Sequence, residues 1–231
     1  MEANIKMTGL IKKIALAGAL GLASMLPARE AEAQGNVTGN VEYVRAKENS
    51  DSYARANAFY ELPFGVKGFT FMELYNSGKG YFGKTALDKE VVEDGGFRLA
   101  PYHSSGKAFS QAGLGAYASV TDIPRTFAKI HVLPIWFSDD KELFGDKMTA
   151  GYFASINLPF GTTFEGFGEW DLVGPNASQW DYGEFSVLKK LSGKGLENVS
   201  IAYNPALLND GDAIPKMQHR ATVRVDFGGK N

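Results

Sequence analysis

Residues 217–227 read Met-Gln-His-Arg-Ala-Thr-Val-Arg-Val-Asp-Phe, a strict alternation of apolar and polar residues. Side chains alternate between the two faces of a β-strand, so one face would carry Ala221 and Val225 and the other Arg220 and Arg224. The stretch therefore predicts a strand that separates an apolar surface from a polar one. Periodicity alone does not say which face points outward, because soluble sheets and membrane-spanning sheets share this alternation.

The first 33 residues predict an export signal. Three lysines between positions 6 and 13 precede a thirteen-residue apolar run at 14–26, and Ala31-Glu32-Ala33 fits the small-x-small cleavage pattern. The apolar run is too short to span a bilayer, which takes about 20 residues. We therefore expect residues 1–33 to be a cleavable signal peptide and residues 34–231 to form one domain.

Charge and composition exclude several classes of function. Removal of residues 1–33 leaves 20 basic and 23 acidic residues, a net charge of −3, whereas nucleic-acid binding usually needs a basic patch. The chain has no cysteine, which excludes disulfides, thiol nucleophiles and thiolate metal ligands. Metal-ligand, phosphate-loop and dinucleotide motifs are absent from the sequence, and its three histidines form no catalytic pattern. We expect no enzyme activity, no catalytic residue, no metal and no cofactor.

The chain after the signal predicts β-strands and no helix. Turn residues recur about every 12–16 residues, which suits the 9–11-residue strands of a membrane barrel plus their turns. Two weaker strands are predicted at about 80–91 and 96–102. Ten clearer ones are predicted at 37–45, 54–62, 66–75, 111–120, 127–137, 148–158, 163–172, 179–188, 198–203 and 217–227.

A four-residue motif occurs twice. Leu62-Pro63-Phe64-Gly65 recurs as Leu158-Pro159-Phe160-Gly161, 96 residues later, and both copies follow an alternating strand. Proline and glycine in this arrangement favour a tight turn. Chance recurrence of a common turn would explain the repeat. Two halves of about six strands would also explain it, and this interpretation favours twelve strands.

The polar strand faces carry charges of both signs. Inside a narrow barrel such charges must pair or stay hydrated, because an isolated buried charge is costly. A fully paired network would plug the barrel, whereas an incompletely filled lumen would form a small selective channel. We predict that eight of these residues line the lumen: Arg55, Glu61, Lys129, Glu165, Glu169, Arg220, Arg224 and Asp226.

Aromatic residues divide into two predicted groups. One group shares the polar faces, where its rings would either pack or form stacking surfaces for ring-shaped solutes: Phe69, Phe71, Phe127, Phe137, Phe153 and Phe167. The other group lies near predicted strand ends and would form the interfacial girdles of a membrane barrel: Tyr43, Tyr60, Tyr102, Trp136, Tyr152, Trp170, Trp180 and Tyr203.

The export signal, the repeated turns and the terminal alternating strand together resemble the outer-membrane β-barrels of Gram-negative bacteria, over all 198 residues after the signal. A fainter similarity to the twelve-stranded nucleoside-specific channels rests on strand count, the inward phenylalanines and strand 165–170, and assigns no binding residue. The pattern departs from the class at Gly228–Asn231, which follow the last aromatic, and at Pro101, Pro134 and Pro205, which interrupt predicted strands.

The resemblance implies an all-β fold: a closed antiparallel transmembrane barrel of 10–12 strands, with twelve favoured, surrounded by outer-membrane lipid. The expected function is a narrow, porin-like channel for small polar solutes. Two alternatives stay open. One is a plugged structural barrel that binds partners through loops 138–147 and 204–216. The other is a soluble exported all-β binding module.

Overall fold

The computed structural model describes residues 37–46, 52–76, 80–104, 107–120, 122–138, 142–173, 179–208 and 216–228. The predicted signal peptide lies outside these ranges. Among the described residues, no helix has the length and hydropathy needed to cross a membrane. The strand segments are β1 (Thr38–Ala46), β2 (Tyr53–Leu62), β3 (Val66–Tyr75), β4 (Tyr81–Val92), β5 (Gly95–Ser104), β6 (Lys107–Val120), β7 (Thr126–Ser138), β8 (Glu142–Leu158), β9 (Thr162–Val173), β10 (Gln179–Lys190), β11 (Val199–Tyr203), β12 (Ala206–Leu208), β13 (Lys216–Gln218) and β14 (Arg220–Phe227).

These segments form one closed antiparallel barrel. Each of β1 to β9 pairs with the next segment in the chain, β10 pairs with both β11 and β12, and β14 pairs with both β11 and β1. β11 and β12 are two parts of one strand that is interrupted at Asn204-Pro205, and β13 and β14 are two parts of another that is interrupted at His219. The described residues therefore make twelve strands, which confirms the predicted fold class and the higher of the two strand counts.

Both weaker predicted strands are present, as β4 and β5. The three interrupting prolines have different local effects. Pro134 lies at a register shift between β7 and β8, and Pro205 separates β11 from β12. Pro101 stays in the ladder, opposite Ala112. Two of the three prolines therefore mark irregularities, as expected for a residue that cannot donate a ladder hydrogen bond.

The polar strand faces point into the barrel and the apolar faces point outward. The inward side chains of Arg55, Glu184 and Arg220 belong to residues that are 5%, 2% and 7% exposed. Outward-facing Ile130 and Val187 are 60% and 47% exposed. A soluble barrel would bury the apolar faces instead, so this arrangement is the one that a bilayer requires.

A bulge between β6 and β7 depends on Gly115. The register shifts between Leu114 and Ala116 on β6, opposite the Pro134 region of β7. A Cβ atom at Gly115 would lie 1.9 Å from the carbonyl oxygen of Val132. The backbone of β7 can pass this point only because residue 115 has no side chain.

We expect Gly115→Ala to lower the free energy of unfolding by about 1–3 kcal/mol, the usual effect of overpacking. Ala116→Val is the matched control, because Ala116 is exposed on the adjacent outward position and an apolar side chain is tolerated there. Urea unfolding from lipid vesicles, followed by the gel mobility of unheated samples, measures both. Equal urea midpoints for Gly115→Ala and the wild type would contradict the close approach.

Candidate functional site

Arg55, on β2, lies at the centre of a buried ion-pair cluster inside the barrel. Its guanidinium donates to Glu73 Oε1 at 2.9 and 2.7 Å and to the two carboxylate oxygens of Glu184 at 2.8 and 2.9 Å. Glu42 lies 3.5 Å from Arg55 Nη1. Because three strands separate β2 from β10 on the shorter way round the barrel, the Arg55–Glu184 pair crosses the lumen.

The Glu184 carboxylate accepts hydrogen bonds from side chains on several strands. Arg220 Nη1, Tyr182 Oη and Asn204 Nδ2 donate to it at 3.0, 2.7 and 3.4 Å. Arg220 also donates to Tyr53 Oη at 2.9 Å. With Arg55, four side chains therefore neutralise or hydrogen-bond one carboxylate that is 2% exposed, as a buried charge requires.

A second cluster centres on Glu169, on β9. Lys84 Nζ donates to Glu169 Oε1, and Tyr102 Oη donates to Oε2 at 3.0 Å. His131 Nε2 lies 3.3 Å from Glu169, and its Nδ1 lies 2.9 Å from Arg98 Nη1. Arginine can only donate, so Nδ1 accepts and the Nε2 proton points at Glu169. The Lys84–Glu169 pair also crosses the lumen, since β5 to β8 lie between β4 and β9.

Arg98 connects this cluster to Asp88. Its Nε and Nη2 each donate to one Asp88 oxygen at 2.7 Å, a bidentate pair, and Lys129 Nζ donates to Asp88 at 2.7 Å. The chain of contacts therefore runs from Lys129 through Asp88, Arg98 and His131 to Glu169. Five inward residues from β4, β5, β7 and β9 act as one polar network.

The eight predicted lumen residues divide into three groups. Arg55, Arg220, Lys129 and Glu169 belong to the buried networks just described. A separate group joins Arg224 to Glu165 at 2.9 Å and to Asp226 at 2.8 Å. Glu61 is exposed at the turn end of β2. That these residues line a conducting lumen stays a prediction.

The sequence prediction omitted several residues that the structure places in the networks. In the sequence Glu184 lies between Gly183 and Phe185. Only its spacing of two residues from Tyr182 indicates which face of the strand it occupies. The strands of Lys84, Asp88 and Arg98 were predicted weakly, so their faces were not assigned. Tyr102 and Trp136, predicted as girdle residues, are instead buried inside the barrel at 8% and 2% exposure, where they pack with Ala100 and Leu133. That part of the girdle prediction is wrong, because both residues lie on inward faces.

The inward phenylalanines pack against Arg55 and against one another. The guanidinium carbon of Arg55 lies 6.0 Å from the ring centre of Phe71 and 5.9 Å from that of Phe167. Phe69 contacts Phe71 at 6.1 Å, and Phe127 contacts Phe153 at 6.0 Å between ring centres. The Phe137 side chain lies outside the described part of the chain. These contacts favour packing and cation–π attraction over free stacking surfaces.

The described part of the chain leaves no buried side-chain nitrogen or oxygen without a partner. It contains no group of three or more residues that could hold a metal ion. At the end of the barrel where the β6–β7 turn lies, there is a cleft of about 340 Å³. It is lined by inward-facing Phe127, Ser155 and Asn157 and by the turn residues Asp122 and Arg125. Beyond this cleft, the Arg55–Glu184 and Lys84–Glu169 pairs cross the lumen.

No protein-family model matches the chain, and no curated protein matches it. The solved NanC porin matches with a TM-score of 0.55 and 9% identity, covering 82% of this chain and 98% of that chain. The KdgM porin matches with a TM-score of 0.49, 11% identity and coverages of 82% and 99%. Outer membrane phospholipase A from Escherichia coli matches with a TM-score of 0.48, 10% identity and coverages of 82% and 92%.

Identities this low establish the fold alone. A likeness to a solved structure at 9% identity does not decide between transport and catalysis. The expectation that this chain is not an enzyme stays a prediction. The closed barrel, its outward apolar surface and its similarity to the NanC porin together show that the chain has the fold of an outer-membrane β-barrel.

Proposed function

We propose that the protein is a narrow channel in the outer membrane of a Gram-negative bacterium and that it passes small polar solutes. The observation that carries the proposal is the inward polar surface, where charged side chains of both signs lie inside a barrel whose outside is apolar. Twelve strands enclose a lumen between that of a side-chain-filled eight-stranded barrel and that of a wide porin. The similarity in fold to a porin supports the same function.

Side chains that reach across the barrel narrow its lumen. Arg55 and Glu184 meet across the lumen, as do Lys84 and Glu169. Arginine and lysine side chains have several rotatable bonds, so a change of rotamer would widen the passage while the barrel wall stays fixed. Rings of mixed charge set the field that a solute meets in such a constriction.

The charges of the constriction are nearly balanced. Glu42, Glu73 and Glu184 surround Arg55 and Arg220, and the second network holds Lys84, Arg98 and Lys129 with Asp88 and Glu169. A lumen of this kind would select by size and hydrogen bonding more than by the sign of net charge. Outer-membrane lipid surrounds the barrel in this proposal, and no nucleic acid is a partner.

Conductance variants at the Arg224–Glu165 pair test the channel. This pair is partly exposed, with side-chain exposures of 17% and 26%, so removal of either charge should alter the field without collapsing the deeper networks. We expect Glu165→Ala to shift the reversal potential in a salt gradient toward anion selectivity and Arg224→Ala to shift it toward cation selectivity. Lys194→Ala, in the exposed turn between β10 and β11, is the control outside the lumen. Wild-type conductance and selectivity in both lumen variants would count against a conducting lumen.

A plugged barrel is the second candidate. The observation that favours it is that every buried polar side-chain atom of the described residues has a partner, so the networks could close the lumen permanently. The protein would then act structurally or bind partners through the predicted loops 138–147 and 204–216. Residues 139–141 and 209–215 lie outside the described residues, and most of the others belong to β7, β8 and β12. Deletion of those loops would abolish partner binding. Planar bilayers that contain the folded barrel would show no ionic current through it.

A further inference from the structure

The two Leu-Pro-Phe-Gly turns have the same backbone conformation. Phe64 and Gly65 have φ angles of 65° and 68°, and Phe160 and Gly161 have φ angles of 61° and 66°. The left-handed region is common for glycine but unfavourable for a residue with a bulky side chain. Each turn therefore holds its phenylalanine in a conformation that its own backbone disfavours.

A lysine fixes each turn from the neighbouring strand. Lys89 Nζ donates to the carbonyl oxygen of Phe64, and Lys189 Nζ donates to that of Phe160. Lys89 lies opposite the first residue of β3 and Lys189 lies opposite the first residue of β9, so the two lysines occupy equivalent places. The turn and its lysine contact are thus a duplicated unit.

The duplicated unit displays its aromatic side chain without packing it. Phe64 is 90% exposed and Phe160 is 91% exposed, the highest values among the large exposed apolar residues of the described chain. The β2–β3 and β8–β9 turns are six strands apart in a twelve-stranded barrel. The two rings therefore lie at the same end of the barrel on opposite sides.

These turns lie at the height expected for the boundary of the apolar part of a bilayer. Leu62 and Leu158, the last residues of β2 and β8, face outward and are 41% and 44% exposed. A 10-residue strand such as β2, with a rise of about 3.3 Å per residue and a tilt of about 40°, spans about 25 Å, the height of the apolar band of an outer-membrane barrel. Phe64 and Phe160 follow two residues later, at the level of the lipid headgroups.

Two further apolar residues are exposed at this end of the barrel, beside exposed charged turn residues such as Glu93 and Asp122. Val92 is 64% exposed beside the β4–β5 turn, and Ile123 is 53% exposed in the β6–β7 turn. Turn tips in water would be expected to be polar, whereas the boundary between headgroups and acyl chains favours aromatic and apolar side chains. The apolar surface therefore continues from the outward strand faces onto the two Pro-Phe-Gly turns, Val92 and Ile123, which points to lipid as the material that covers these positions.

We propose that Phe64 and Phe160 are a pair of lipid anchors that insert into the headgroup–acyl boundary of the leaflet at their end of the barrel and hold the barrel at a fixed depth. The proposal rests on the membrane location in the proposed function. The Pro-Phe-Gly turns and the two lysines direct the rings toward the lipid, and the opposite placement of the rings supports the barrel on two sides.

Single-cysteine labelling tests the proposal, because the chain has no cysteine of its own. Phe64→Cys and Phe160→Cys, prepared separately so that one native ring always stays, would carry the fluorophore NBD in barrels folded into phosphatidylcholine–phosphatidylglycerol vesicles. Ile130→Cys, on the outward face of β7, is the lipid reference. Glu93→Cys, in the exposed β4–β5 turn at the same end, is the water reference and also controls for the affinity of the fluorophore itself for lipid.

We expect NBD at positions 64 and 160 to emit at shorter wavelength than at 93 and to be quenched severalfold more strongly by lipids brominated near the headgroup. Emission and quenching equal to those at 93, with position 130 still reporting lipid, would overturn the anchor proposal and leave the membrane barrel intact. A water-like signal at position 130 would instead overturn the membrane location itself, and the anchor proposal with it.

Discussion

Replacement of Arg55 by alanine is expected to raise the single-channel conductance severalfold. The Arg55 guanidinium crosses the lumen to Glu184 at 2.8 Å and also contacts Glu73 at 2.7 Å, so its removal takes away one of the two ion pairs that cross the lumen. The same change leaves three buried carboxylates with less positive charge nearby and should favour cations. Recordings in planar bilayers under a salt gradient measure both effects.

Lys67→Ala is the matched control for Arg55→Ala. Lys67 belongs to an ion pair at the turn end, 3.3 Å from Glu90, but its side chain is 62% exposed and does not cross the lumen. Exposed pairs of this kind contribute about 0–1 kcal/mol to stability, so we expect little change in stability and a much smaller change in conductance. An Arg55→Ala channel no more conductive than Lys67→Ala would show that Arg55 does not limit passage.

Glu184→Gln is expected to cause the largest loss of stability. Glutamine preserves size but removes the charge that Arg55 and Arg220 share, and breaking a buried ion pair from one side lowers stability by about 3–5 kcal/mol. Urea unfolding from vesicles measures the loss. Glu90→Gln is the control, because the Glu90 side chain is 47% exposed and its charge stays hydrated. Equal losses in the two variants would contradict a dry, charge-dependent cluster.

The double variant Arg55→Ala with Glu184→Gln separates this pair from its neighbours. Both residues belong to one network, so their effects should not add. We expect the double variant to lose less stability than the sum of the two single losses, because removal of the second partner relieves the charge that the first change left unpaired. Additive losses would show that Arg55 and Glu184 act independently.

In the regular strands, alternation in the sequence was sufficient to predict which residues share a face. Arg220 and Arg224 point inward, as the alternation of residues 217–227 places them together on one face. The repeated turn also favoured twelve strands, and the structure contains twelve. Parity gives the face of a residue but not its depth or its partner across the barrel, which explains why Glu184, 129 residues from Arg55, was omitted.

Irregular strands limited the prediction elsewhere. β5 begins with two glycines and contains Pro101, so its alternation was too weak to place Arg98 inside. Tyr102 and Trp136 were predicted at the membrane interface because they lie near strand ends. The bulge at Pro134 puts both Leu133 and Trp136 on the inside, an odd spacing that a simple alternation rule cannot produce.

Single-channel recording of the folded wild-type protein tests the channel proposal most directly. A gel-mobility difference between unheated and boiled samples would first establish that the barrel is folded in the sample used. The ion pairs that cross the lumen predict small, discrete conductance steps, well below those of Arg55→Ala. Silent bilayers from a fully folded sample, in the wild type and in Arg55→Ala alike, would contradict the channel and leave the plugged barrel as the account of this protein.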